Sequence, residues 1–135
     1  MKFQVVMDRG TEQIICTELF NGRAHDGTIF KTTTPVNPSI LVLCDSGYRG
    51  IQKVHANTAL PIRHKEDIAG LSEERKAARK ATNKGVSGRR MKIEHVIGRI
   101  KNFKIVAYRY RNRLKRLLLR FNLICGVVNF EKRHA

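Results

Sequence analysis

The stretch ILVLCDSGYRG, residues 40–50, decides how this chain is read. Its apolar run from Ile40 to Cys44 ends directly on Asp45, and Gly47 and Gly50 follow. A run without polar alternation predicts a strand buried on both faces, as in the middle of an α/β sheet. Sheets of that class gather functional groups at the carboxyl ends of their strands. Asp45 stands at such an end, with glycines that let the next turn bend away. The competing reading is an Asp that merely caps the following turn.

Upstream, Phe3–Met7 alternates weakly, Asp8-Arg9-Gly10 is turn chemistry, and Gln13–Phe20 is rich in Ile, Cys, Thr and Leu. Together they predict an antiparallel hairpin joined by that turn, with Asn21-Gly22 closing its second strand. Residues 25–33 suit a short helix stopped by Pro35 and Pro38. Downstream, Ala59–Arg63 reads as a further short strand, with Pro61 placing it at an edge. Past Gly70 the pattern becomes helical. Ser72, Glu73 and Glu74 form an N-cap with first-turn acids, opening a charged helix to about Thr82. NKGVSG, residues 83–88, predicts a flexible break. Ile93, Val96, Ile97 and Ile100 repeat at i, i+3, i+4, i+7, predicting an amphipathic helix from about Arg89 to Asn102. Leu114, Leu117, Leu118, Phe121, Cys125 and Val128 repeat that spacing in a last helix.

Composition narrows the function classes. The 135 residues suffice for one domain with a single core, and the hydrophobic fraction of 41% argues against disorder. No apolar run approaches the roughly 18 residues of a membrane span, and the N-terminus MKFQVVMDRG lacks the features of a signal peptide. No membrane partner is expected. Cys16, Cys44 and Cys125 are widely spaced and sit in apolar segments, which suits buried thiols in a reducing cytoplasm. The net charge of +16 points to a polyanion. Residues 1–68 hold 8 Lys/Arg against 7 Asp/Glu, whereas residues 69–135 hold 19 against 4. The strands and short helix are near neutral; the helical half is strongly cationic. Nucleic acid is the expected partner of that half.

Glu94 is the one acid between Glu74 and Glu131. It is one position from the seam of Ile93 and Ile97, which predicts a place at the core boundary. Its competing role is an i, i+4 pair with Arg90. His95 and Arg99, i, i+4 neighbours beside it, are read as contacting a phosphate or orienting the acid, with an exposed or packing role for His95 as the competing reading. Arg109, Arg111, Arg113, Lys115, Arg116 and Arg120, with Tyr108 and Tyr110, read as a phosphate-tracking surface with stacking aromatics, and Lys101 adds to it. Tyr48 either lines the same groove or fills the core.

CDSGYRGI (44–51), the run from Leu71 to Val106 containing EHVIGRIK, and YRYRNRLKRLLLRFNLICGVVNFE (108–131) resemble the C-terminal part of bacterial insertion-sequence transposases of the DDE superfamily. FQVVMDRG, Ile14-Ile15 and NGRAHD fit the same pattern. The resemblance implies a ribonuclease H-like α/β fold, and a Mg²⁺- or Mn²⁺-dependent enzyme that cuts and joins DNA at transposon ends. It makes Asp45 the second metal-binding acid and Glu94 the third. The family's first acid belongs on a strand ahead of Met1; neither Asp8 nor Asp26 matches it. The expectation is therefore a single, N-terminally truncated catalytic domain over residues 1–135, with a mixed sheet lacking its first strand and followed by C-terminal helices. Such a chain is expected to be nucleoid-associated and inactive alone, and to self-associate or be complemented by the missing part. The alternative is a non-catalytic basic nucleic-acid-binding protein, ribosomal in type or a repressor of transposition.

Overall fold

A computed structural model of the chain describes residues 1–33, 36–61, 69–108 and 114–135. The elements are strands β1 (Lys2–Met7) and β2 (Ile14–Phe20), helix α1 (Asp26–Thr33), strands β3 (Val42–Leu43) and β4 (Thr58–Ala59), and helices α2 (Glu73–Lys101), α3 (Lys104–Ala107) and α4 (Leu117–Arg133). Short 3₁₀ turns cover Ser46–Tyr48, Ile51–Lys53 and Leu114–Arg116. The α/β class is as expected. The residues divide into two compact units, one of 1–22 with 92–135 and one of 23–91. Helix α2 contributes its first part to the second unit and its end to the first.

In the first unit β1 and β2 form the predicted antiparallel hairpin, from Lys2 opposite Phe20 to Met7 opposite Ile14, with an irregularity after Val6. Asp8 makes its turn. Its Oδ1 accepts from the Thr11 backbone N–H and hydroxyl, each at 2.7 Å. Those donors hold the Asp8 carboxyl below its usual range. The hairpin packs with the predicted seams: Ile14, Val96, Ile100, Phe121, Ile124, Cys125 and Val128 form one buried core. Phe3 stacks on Phe121 with ring centroids 4.0 Å apart. Helix α4 also satisfies polar groups along β2. The Asn129 side chain accepts from Ile14 N at 2.8 Å and donates to Ile14 O at 2.9 Å. Thr17 Oγ1 donates to Asn122 Oδ1. Arg133 donates to Gln13 Oε1 at 3.0 Å.

The second unit has a smaller core of Phe30, Cys44 and Ile51, with Val36, Val42, Tyr48 and Leu60 packed against it. Here the predicted central strand fails. Only Val42 and Leu43 of the 40–44 run are strand, and they pair in parallel with Thr58 and Ala59. Ile40 and Leu41 are 53% and 48% exposed. The expected single mixed sheet is instead two separate two-stranded sheets among the described residues. An unalternating run reports that each side chain tolerates burial; it does not supply the strands and helices that would bury both faces. In the described part of the predicted strand Ala59–Arg63, Ala59 is strand and Pro61 is buried, while Ile62 and Arg63 lie outside the described residues.

Helix α2 also differs from expectation. NKGVSG does not break it, and the helix runs unbroken from Glu73 to Lys101. Ser72 caps its start as predicted, with Oγ accepting from Arg75 N at 3.4 Å. A helix-interior glycine costs about 1 kcal/mol relative to alanine. Two of them are outweighed here by the helix formers on either side and by burial of Val86, which is 7% exposed.

Candidate metal and nucleic acid site

Asp45 follows β3 and precedes the Ser46–Tyr48 turn, which it caps. Its Oδ1 accepts from Ser46 N at 2.6 Å and from the Ser46 hydroxyl at 3.3 Å. Arg90, on α2, places NH1 3.3 Å from the same oxygen. The capping role that competed with function is therefore real, yet it engages one oxygen. Among the described residues no donor falls on Oδ2. The Asp45 side chain is 54% exposed and that of Arg90 only 13%. An ion pair with one such exposed partner is worth less than about 1 kcal/mol. Arg90, read from spacing as a partner of Glu94, reaches Asp45 from within the same unit.

The glycines of the turn serve two different needs. Gly50 has φ +86°, a left-handed conformation, and a β-carbon there would meet nothing. Gly47 has no such φ, but lies against Asp26. Tyr48 is half-buried and packs on the Phe30–Cys44–Ile51 core, the second of its two predicted roles. Burial, reinforced by the charges of Asp26, Cys44 and Asp45, pushes its phenol up to about 12. It stays protonated at neutral pH. Burial likewise raises the Cys44 and Cys125 thiols to about 11; these two are buried as expected, whereas Cys16 is only partly buried because it lies on the hairpin strand β2 rather than in the core. His55 is buried with Nε2 2.8 Å from Ile40 O.

Glu94 lies on the part of α2 that belongs to the first unit. It is exposed, rather than at the core boundary; the buried positions of that stretch are Val96 and Ile100. A one-residue step along a helix turns a side chain by about 100°, enough to carry it from the seam to solvent. His95, Arg99 and Lys101 are exposed on the same helix, and Arg116 is exposed just before α4. Tyr108 is 69% exposed. Arg109, Arg111, Arg113 and Tyr110 lie outside the described residues. No group of three or more His, Cys, Asp or Glu able to hold a metal gathers among the described residues. None of their helices is long and apolar enough to cross a membrane.

Sequence reasoning missed Glu12. It sits in the hairpin turn with φ 58°. Lys92 and Lys132 approach its two carboxylate oxygens at 3.1 and 2.6 Å. Those hydrogen bonds, Lys132 first, pull its carboxyl down to about 2. Lys92 also donates to Arg9 O at 3.4 Å. Nothing in local sequence pairs residues 12, 92 and 132; only the packing of α2 and α4 around the hairpin does.

Comparison with known proteins places this arrangement in a family. The family described as DDE superfamily endonuclease matches residues 1–129, and the chain belongs to it. It is similar to a protein of Microchaete diplosiphon described as the probable transposase for insertion sequence element IS702. The identity is 39% over 132 residues, covering 97% of this chain and 46% of that relative. The chain thus spans about half the length of the curated relative it matches. No solved structure matches it.

Proposed function

We propose that the chain is part of a DDE-type transposase whose intact form cleaves and joins DNA at transposon ends, on a ribonuclease H-like fold. Asp45 and Glu94 are read as two of its divalent-metal ligands. The observation that carries this reading is the Asp45 carboxylate. It is fixed through Oδ1 by Ser46 and Arg90 and is otherwise turned to solvent at the end of a strand. Carboxylate oxygens on structured elements are the donors Mg²⁺ and Mn²⁺ accept, so Asp45 and Glu94 fit as ligands by donor chemistry. Held by Asp45 and Glu94, such an ion would supply charge neutralisation at the phosphate oxygens and activation of the attacking hydroxyl or water. Ser46 and Arg90 hold Asp45 in one orientation without consuming both of its oxygens.

The DNA-facing groups in this reading are His95, Arg99, Lys101 and Arg116, with Arg109, Arg111 and Arg113 completing the set proposed from sequence; Tyr48 packs on the core and is left out of it. The excess of cations in residues 69–135, 19 Lys/Arg against 4 Asp/Glu, supports a largely electrostatic contact. The resemblance assigns two of the three acids to these 135 residues, so the chain alone is proposed to bind DNA without cutting it.

Titrating a labelled duplex at two salt concentrations tests the binding. Affinity is expected to fall steeply with salt, each phosphate contact adding about −0.9 to the log–log slope. Binding indifferent to salt, or absent at low salt, overturns it. Incubating supercoiled DNA with the chain and Mg²⁺ tests the rest. Nicking that Asp45→Ala abolishes would show that these residues hold a complete centre.

A further inference from the structure

The turn that presents Asp45 rests on a second carboxylate, to which the family reading gives no role. A β-carbon built on Gly47 would stand 2.8 Å from Asp26 Oδ2 and 3.8 Å from its Cγ. The first of these distances is closer than real β-carbons approach. Gly47 needs no left-handed backbone, so it is glycine for space and not for conformation. Gly50, three residues on, is the reverse case. The neighbouring residue of α1 repeats the contact more loosely: a β-carbon on Gly27 would lie 3.8 Å from Arg49 O. The first turn of α1 is therefore seated directly against the Ser46–Tyr48 turn. The Asp26 charge is also felt at the Tyr48 phenol, after burial the largest influence on it.

We propose that Asp26 is a positioning residue for Asp45. Its carboxylate, seated against Gly47, fixes the Ser46–Tyr48 turn and so the direction in which Asp45 presents its own carboxylate. Arg90 holds that turn at Asp45 itself, 3.3 Å from Oδ1. Anchored at Gly47 and at Asp45, the turn keeps one geometry although the strand before it is only two residues long. The functional part of this proposal rests on the reading of Asp45 as a metal ligand. The structural part does not. The rival role for Asp26 is a first-turn acid that favours the α1 dipole, which would be indifferent to residue 47.

A thermal-melting cycle on the full chain in metal-free buffer separates the two, using Gly47→Ala, Asp26→Ala and the double variant. Overpacking makes Gly47→Ala alone lower Tm by about 5–10 °C, whereas the double variant melts within about 2 °C of Asp26→Ala. Equal losses in both backgrounds overturn the proposal. Should Gly47→Ala fail to fold, folding recovered in the double variant supports it, and failure of both overturns it. Mn²⁺ binding followed by electron paramagnetic resonance then tests the positioning. Asp26→Ala is expected to weaken Mn²⁺ about 10-fold or more, as loss of an orienting partner does, with Asp26→Asn restoring most of the affinity. Unchanged affinity in Asp26→Ala, where Asp45→Ala loses it, overturns the positioning role. If Asp45→Ala binds Mn²⁺ as the wild-type chain does, the metal reading fails, and the melting cycle alone decides whether Asp26 fixes the turn.

Discussion

Glu12 and Asp45 both sit in turns beside basic side chains, one in each unit, and the two are held very differently. Glu12 has a lysine on each carboxylate oxygen, at 3.1 and 2.6 Å, and its side chain is 24% exposed. Asp45 has its donors among the described residues on one oxygen and is 54% exposed. Glu12 is saturated by lysines that come from two helices, so it serves to tie the hairpin to α2 and α4. Asp45, with its donors among the described residues on one oxygen, is oriented but not saturated. The packing around them differs in the same sense. Among the described residues, the hairpin unit's buried apolar cluster holds seven residues and the Asp45 unit's holds three. A turn with a light core beneath it depends more on specific contacts, such as those of Asp26 and Arg90.

The largest expected effect tests that difference in cores. Phe121→Ala removes a ring that is 2% exposed and stacked on Phe3, and should cost about 3–5 kcal/mol. Ile51→Ala, at a position with 0% exposure, should cost about 2–5 kcal/mol, toward the lower end because its buried cluster among the described residues is smaller. Urea denaturation followed by circular dichroism measures both. A larger loss from Ile51→Ala would break the comparison.

An intermediate effect is expected in acid. Because folding lowers the Glu12 carboxyl from 4.5 to about 2, its contribution is complete above about 4.5 and is lost as pH falls through about 2. Stability measured from pH 5 downward should therefore fall less steeply in Glu12→Gln than in the wild-type chain. Parallel curves would show that the two lysines do not hold Glu12 in solution.

The smallest effect sharpens the reading of α2. A β-carbon on Gly85 or Gly88 meets nothing within 4 Å. Either glycine changed to alanine should raise stability by about 0.5–1 kcal/mol, since a helix-interior glycine loses more backbone freedom on folding. A loss of stability would mean that one of these positions is covered, contrary to the open space found there.

Residue patterns alone determined the elements whose signals are local. The hairpin follows from alternation and turn chemistry, the start of α2 from Ser72 and its acids, and the seams of Val96, Ile100, Phe121, Cys125 and Val128 from helical spacing. The basic half was equally legible, because charge is a property of composition. Asp45 follows a short strand, as its place after the apolar run indicated, and the chain's family resemblance held over residues 1–129. Tertiary structure decided what depends on partners distant in sequence. It left Ile40 and Leu41 exposed where the pattern called for burial, and ran α2 through Gly85 and Gly88. It joined Glu12 to Lys92 and Lys132, Asp45 to Arg90, and Gly47 to Asp26. The physical reason is the same in each case: periodicity records which side chains tolerate burial or solvent, whereas packing chooses which groups, far apart along the chain, meet.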